Sequence, residues 1–277
     1  MKLKSYYIKT IFVLLTVVLL ESCAEHAKSR SLEEVFRYNA AENITTLDPA
    51  FAKDLRTIWA TNQLFNGLIQ LNDQLEVEPD IARSWTISEE GKKYTFLLRD
   101  DVKFHKHELF GLDSTRNVIA KDFEYSFNRL LDQKVASPGK WVLEYVDKFK
   151  AENDSVFTIK LKQSFPPFLS LLSMRYCAVV PKEAIEFFKD KFRSNPIGTG
   201  PFYFKLWVEN TKLVFRKNKN YHERDQNGIR LPYLEAVAIS FLPDKQSEFL
   251  QFVQGKLDFL NSIDASYKDD LLTKEGK

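Results

Sequence analysis

Asn195 to Tyr221 reads NPIGTGPFYFKLWVENTKLVFRKNKNY. Its first part places Pro196, Gly198, Gly200 and Pro201 within six residues. Proline fixes φ near −65° and removes a backbone donor, and glycine opens conformations closed to other residues, so this segment is a turn and not a helix. The second part alternates. Phe202, Phe204, Leu206 and Val208 fall on one side, and Leu213 and Phe215 resume the pattern after Glu209-Asn210-Thr211-Lys212. This predicts a β-hairpin with one buried face. A phosphate-binding loop does not fit. Gly198-Thr199-Gly200 lacks a third glycine and a Lys-Ser/Thr pair, and it runs into a strand.

Working outward, the chain offers 277 residues, 44% hydrophobic and 28% charged, enough for a substantial core in one or two domains. Forty basic and thirty-eight acidic residues leave a formal charge of +2, without the basic excess of a nucleic-acid partner. The 23 phenylalanines are read first as core material.

The N-terminus reads as a targeting segment over residues 1–22. Lys2, Lys4 and Lys9 precede the apolar run Ile11 to Leu20, which is shorter than the roughly 20 residues of a transmembrane helix. Leu20-Glu21-Ser22-Cys23 follows at once. It resembles a bacterial lipobox, with Glu21 where a small or apolar residue is usual, and the expectation is a lipid on Cys23. Each buried acyl CH₂ contributes about 0.8 kcal/mol to membrane anchorage. Residues 23–31 are small and polar, a tether. Cys177, the only other cysteine, sits in Arg175-Tyr176-Cys177-Ala178-Val179-Val180 and is expected to be a buried, inert thiol.

Along the rest of the chain, Val35 to Tyr38 alternates as a strand. Thr57 to Leu68 carries Ile58, Trp59, Leu64, Phe65 and Leu68 at helical spacing, and Leu68 to Leu71 is extended. Tyr94, Phe96 and Leu98 mark a strand. Ala120 to Leu131 is a helix with an apolar stripe of Phe123, Phe127, Leu130 and Leu131. Val156 to Leu161 is a strand, Phe168 to Leu172 a helix, and Pro181-Lys182-Glu183-Ala184 opens another. Ala236 to Phe241 is a strand, and Ser247 to Gln254 a helix with Phe249, Leu250 and Val253 on one face.

Four strings carry a resemblance. They are Pro196-Ile-Gly-Thr-Gly-Pro-Phe202 with Arg216-Lys-Asn-Lys-Asn-Tyr-His222, the Leu47-Asp-Pro-Ala50 loop with Phe65-Asn-Gly-Leu68, the stretch from Ala82-Arg-Ser-Trp85 to Tyr94-Thr-Phe-Leu-Leu-Arg-Asp-Asp-Val-Lys-Phe-His105, and Ala120 to Leu131. Together they resemble the family 5 extracytoplasmic solute-binding proteins of ABC importers, the oligopeptide-, dipeptide- and nickel-binding type. The resemblance implies an α/β fold like the type II periplasmic binding proteins. Its first lobe would hold a mixed sheet over 32–72 and 192–265, with an inserted subdomain over 73–191, all within an incomplete domain over 32–277. Because such proteins are longer, the expectation is that the second lobe is missing.

The same resemblance implies no catalysis and no cofactor. The implied partners are a peptide ligand, the ABC permease subunits and the membrane, reached through the lipid anchor, in the periplasm or cell envelope. Carried over residue by residue, the loop facing the crevice is Lys53, Asp54, Leu55 and Arg56, for which a solvated charged turn is the alternative. Trp141 is a further candidate, with core packing the alternative, and Asn261, Ser262 and Ile263 follow the Gly255-Lys-Leu-Asp-Phe259 strand. His105 and His107 could form half a metal site, but no third ligand stands at a suitable spacing. A nickel or other small-solute binder is the alternative function. A secreted hydrolase is a weaker one, since neither G-x-S-x-G nor H-E-x-x-H occurs. A purely structural lipoprotein is the third reading.

Overall fold

A computed structural model describes residues 34–263 and Tyr267. The expected signal segment, Cys23 and the tether lie outside the described residues. All but Glu34 and Val35 of the described residues fall in one unit that begins at Phe36. Strands β1 (Val35–Asn39), β8 (Phe202–Val208), β9 (Lys212–Lys217) and β10 (Ala236–Ser240) form one sheet in the order β1-β10-β9-β8. The pairings β8–β9 and β9–β10 are antiparallel, and β1 carries a parallel bridge from Tyr38 to Phe259. A second sheet has the order β4-β5-β7-β6, from β4 (Ala82–Ser88), β5 (Lys93–Leu98), β6 (Val146–Ala151) and β7 (Val156–Leu161). A short hairpin of β2 (Ile69–Leu71) and β3 (Val77–Pro79) stands between them in sequence.

The second sheet follows the period-2 pattern closely. Along β5 and β7 buried and half-buried residues alternate without a break. Helix α2 (Ala120–Leu131) lies on its apolar face, where Phe123 and Phe127 stand 5.9 and 5.5 Å from the ring of Phe157. Leu131, expected in the apolar stripe, is exposed instead, because the buried face of α2 runs through Ala120, Phe123, Ser126, Phe127 and Leu130. Helices α3 (Phe168–Leu172) and α4 (Lys182–Phe188) follow β7. Among the described residues no helix is long and apolar enough to cross a membrane.

Three local expectations are corrected. Helix α1 spans Leu55–Asn62, not Thr57 to Leu68. Beyond Asn62 the backbone turns to another partner: Phe202 donates to the Gln63 carbonyl and Gly200 to the Leu64 carbonyl, both at 2.9 Å. Leu64, Phe65 and Leu68 are still buried, but as core contributions of a non-helical segment. In β8 the register shifts between Phe204 and Leu206, a bulge. It turns Leu206 and Val208 outward and leaves Trp207 half-buried, so the expected continuous buried face ends at Phe204. Helix α5 (Lys245–Val253) exposes Leu250 and Val253 and buries Glu248, which accepts from Lys245 at 2.8 Å.

The turn of the opening string is clasped from both sides. His105 donates its backbone N–H to the Gly198 carbonyl at 2.7 Å. Its ring accepts from the Gly198 N–H at Nδ1, 3.2 Å, and donates from Nε2 to the Gly200 carbonyl, 3.1 Å. Neither glycine has a positive φ. They are required by close approach instead. A Cβ at Gly198 would overlap the Leu64 carbonyl oxygen, and one at Gly200 would stand 2.5 Å from the Leu64 carbonyl carbon. Cys177 is buried and free, and burial pushes its thiol up to about 12, which leaves it an inert thiol at neutral pH.

Two outcomes follow from the clasp. Gly200→Ala forces backbone apart and is expected to destabilise by about 1–3 kcal/mol or more, in the range of overpacked cores; an unchanged denaturation midpoint would refute the close-approach account. The second concerns pH. Burial holds the His105 imidazole down to about 4 from its ordinary 6.5. A base whose folded pKa is lowered binds its proton more readily when unfolded. Its contribution is therefore fully present above about 6.5 and is lost as pH falls toward about 4, up to roughly 3 kcal/mol. The stability difference between wild type and His105→Gln should shrink across that window. A difference independent of pH from 7 to 4 would show that the ring titrates normally.

Candidate functional site

The sequence-predicted loop begins where Asp48 caps a short turn by accepting from the Ala50 N–H at 3.0 Å. Asp48 also receives both Arg129 Nη atoms, Nη1 at 2.8 Å, in a bidentate pair whose side chains are almost wholly enclosed. Ser137 donates its hydroxyl to the Ala50 carbonyl at 2.5 Å. The loop is thus fixed to α2 and to the 136–143 segment, both of which belong with the second sheet.

From there the four predicted residues diverge. Lys53 is exposed and borders a cavity of about 880 Å³ with Arg129, Lys134 and Arg193. Asp54 caps α1: its carboxylate accepts from the Thr57 N–H at 3.1 Å and hydroxyl at 3.0 Å. Arg56 pairs with Glu42 and lies 3.8 Å from Asp54. Leu55 is 68% exposed, a large apolar side chain with its face free.

Trp141 is half-exposed and lines a separate cavity of about 630 Å³ beside Leu131, Phe149 and Lys162. The structure places it among these residues and not among those that border the Lys53 cavity. Asn261 is exposed, Ser262 accepts from Lys245 at 3.1 Å, and Ile263 is 54% exposed.

What ties α1 to the 259–263 segment is a row of rings that sequence reasoning passed over. Trp59 lies 6.4 Å edge-on to Tyr38, Tyr38 5.9 Å from Phe36, and Phe36 6.3 Å from Phe259. Leu55 and Trp59 are one helical turn apart and share a face of α1. With Trp59 at 36% and Phe259 at 41% exposure, this is an apolar wall at the end of the first sheet. The signal in sequence was the alternation of Phe36 and Tyr38 beside a helix bearing Trp59; only the fold shows that they adjoin.

A second missed cluster lies behind the clasp. Asn66 donates to Asp80 at 3.1 Å and to the Tyr221 hydroxyl at 3.2 Å, while Gly67 N–H donates to Asp80 at 3.2 Å. His222 Nε2 donates to the other Asp80 oxygen at 3.1 Å. Asp80, His222 and Glu223 place ligand atoms within 4.8 Å of one another, a set that could hold a metal. Asp80 already accepts three hydrogen bonds and Glu223 accepts one from Gln70 at 2.8 Å, so the cluster acts here as a buried joint. His105 spends both ring nitrogens on backbone, so it is not available to pair with His107, whose Nδ1 accepts from the Leu109 N–H at 3.2 Å.

Comparison with known proteins bears on this arrangement. Residues 76–277 match the family described as bacterial extracellular solute-binding proteins, family 5 Middle. The chain is 25% identical over 270 residues to the dipeptide-binding protein DppE of Bacillus subtilis, covering 90% of this chain and 47% of that protein. It is 28% identical over 234 residues to the nickel-binding periplasmic protein of Escherichia coli, covering 80% and 41%. Among solved structures, the ABC transporter-associated periplasmic binding protein DppA from Helicobacter pylori, in complex with the peptide STSA, superposes with a TM-score of 0.75 at 27% identity, over 86% of this chain and 48% of that one. The chain spans about half the length of the curated relatives it matches.

Proposed function

Starting from a chain that belongs to the bacterial extracellular solute-binding proteins of family 5, with the periplasmic-binding-protein fold, we propose that it serves an ABC importer as a peptide-binding lipoprotein. It captures peptides outside the inner membrane and hands them to the permease, without catalysis. The observation that carries this reading is the wall of Leu55, Trp59 and Phe259, whose apolar faces are exposed at the sheet end. Such a wall accepts varied side chains without demanding one. Relatives named for dipeptides and a structural neighbour holding a tetrapeptide support the class.

The same reading takes 32–72 and 192–265 as the first lobe and 73–191 as its insertion, supported by the division of strands between the two sheets. Lys53, Asp54, Leu55, Arg56, Trp141, Asn261, Ser262 and Ile263 remain its proposed crevice residues. Trp141, lining a different cavity, is the most removed, and Asp54 acts first as a helix cap. Cys23 is the proposed lipid site, in the periplasm or cell envelope. The lipobox-like string supports it, and a Cys23→Ser protein that still partitions with detergent would overturn it. The nickel-binding relative keeps the small-solute alternative open.

Calorimetric titration with a defined set of di- and tripeptides tests the peptide reading. Saturable binding without cleavage products is expected, weakened roughly tenfold by Trp59→Ala, as for an aromatic anchor in an interface. Saturation by nickel salts alone would transfer the reading to the metal alternative. Peptide turnover would sink the binding reading altogether.

A further inference from the structure

Arg175 stands at the edge of a cavity of about 560 Å³ that also touches Asn62, Gln63, Asn66, Ser173 and the carboxylate-bearing Asp80. Its guanidinium makes a single hydrogen bond among the described residues, from Nη1 to the Phe65 carbonyl. Nε is sealed from solvent without a partner. No carboxylate lies within ion-pair distance of it among the described residues. Asp80, whose charge reaches it, is already spent on Asn66, Gly67 and His222.

An arginine that cannot lose its proton thus shares the cavity with one carboxylate, Asp80, which is beyond ion-pair distance and already hydrogen-bonded elsewhere. Burial disfavours its charge. A structural arginine in such a place is ordinarily satisfied by a carboxylate fork or by several carbonyls. Here one carbonyl serves, and among the described residues Nε is buried with no acceptor.

We propose that this cavity is an anion subsite that takes the carboxylate of a small organic solute, with Arg175 as the counter-charge and the amide and hydroxyl groups of Asn62, Gln63 and Ser173 as neutral hydrogen-bonding walls. The planar guanidinium matches a planar carboxylate, and uncharged amides and a hydroxyl add donors without a second fixed cation, which suits one negative charge better than a phosphate's two. The cavity borders helix α1 at Ile58 and Asn62. The proposal stands whether or not the aromatic wall binds peptides.

Thermal melts of the 277-residue protein test it. The probes are succinate, inorganic phosphate and sodium chloride at equal ionic strength, together with the dipeptide Ala-Ala and its C-terminal amide. A saturable rise of several degrees with succinate beyond that with chloride is expected. It should be absent in Arg175→Gln and in Asn62→Trp, which puts a bulky side chain into the cavity lining and leaves the arginine in place. Asn62→Trp also keeps the test open should Arg175→Gln fail to fold. A rise with Ala-Ala but not with its amide supports the site and names a peptide terminus as the source of the carboxylate. A rise with succinate alone supports it and names a free acid. An equal rise with phosphate overturns the carboxylate assignment. No saturable response to any carboxylate, or an unchanged response in a folded Asn62→Trp protein, overturns the site. A purely structural Arg175 would lower the melting temperature on substitution and leave the anion response unmoved.

Discussion

The clasp around Gly198-Thr199-Gly200 is the constraint on which the rest depends. Two distant segments, 63–66 and the one at His105, close on these three residues. The Leu64 carbonyl receives Gly200, the His105 ring bridges Gly198 and Gly200, and Asn66 exchanges hydrogen bonds with the Thr199 hydroxyl at 3.2 and 3.1 Å. Asn218 adds a third by donating to the Gly200 carbonyl at 2.9 Å. Buried backbone polar groups must be paired, so a turn with no side chains of its own at two positions must be served by its neighbours. That need brings 63–66, 105 and 218 together, and it is why α1 stops at Asn62.

From the clasp the order spreads along Asn66. Its amide reaches Asp80 and the Tyr221 hydroxyl, and Asp80 in turn takes His222. A buried network of this kind stabilises only when nearly every member is satisfied, and it fixes one arrangement of the segments that meet there. The Asp48–Arg129 pair does comparable work on the other side. It holds the Leu47-Asp-Pro loop against α2, so the loop that opens toward α1 is anchored to the helix that packs on the second sheet.

The surface left by these anchors is uneven in chemistry. Lys53, Lys134 and Arg193 gather at one cavity, the rings of Trp59, Tyr38, Phe36 and Phe259 make an apolar row at the sheet end, and Arg175 borders a third recess. Of the candidate site, the sequence marked the region of Lys53 to Arg56 and of Asn261 to Ile263. It did not show that Asp54 is committed to capping or that Arg56 is paired with Glu42. Trp59 was assigned to a helix but not to a wall. Trp141 was selected for its loop, and it lines a different cavity from Lys53, because a residue's loop does not fix the direction of its side chain.

By itself the sequence determined the local elements whose period is strong. The alternation of Tyr94, Phe96 and Leu98, the run Val156 to Leu161 and the helix Ala120 to Leu131 are found where the pattern placed them, because side-chain period and burial agree there. Motif wording was sufficient for the family. Tertiary structure alone decided where local pattern and distant partners conflicted. Leu64 to Leu68 keeps helical spacing yet leaves the helix, since its carbonyls accept from distant partners: Gly200, Arg175, Val179, Ile81 and Ala82. Leu206 and Val208 keep strand spacing yet face water, since a bulge after Phe204 inverts the register. The requirement for glycine at 198 and 200 was legible, but its cause was not. Composition suggested a left-handed φ, whereas the packed backbone of Leu64 forbids a Cβ, a property that exists only once two segments separated by more than a hundred residues are in contact.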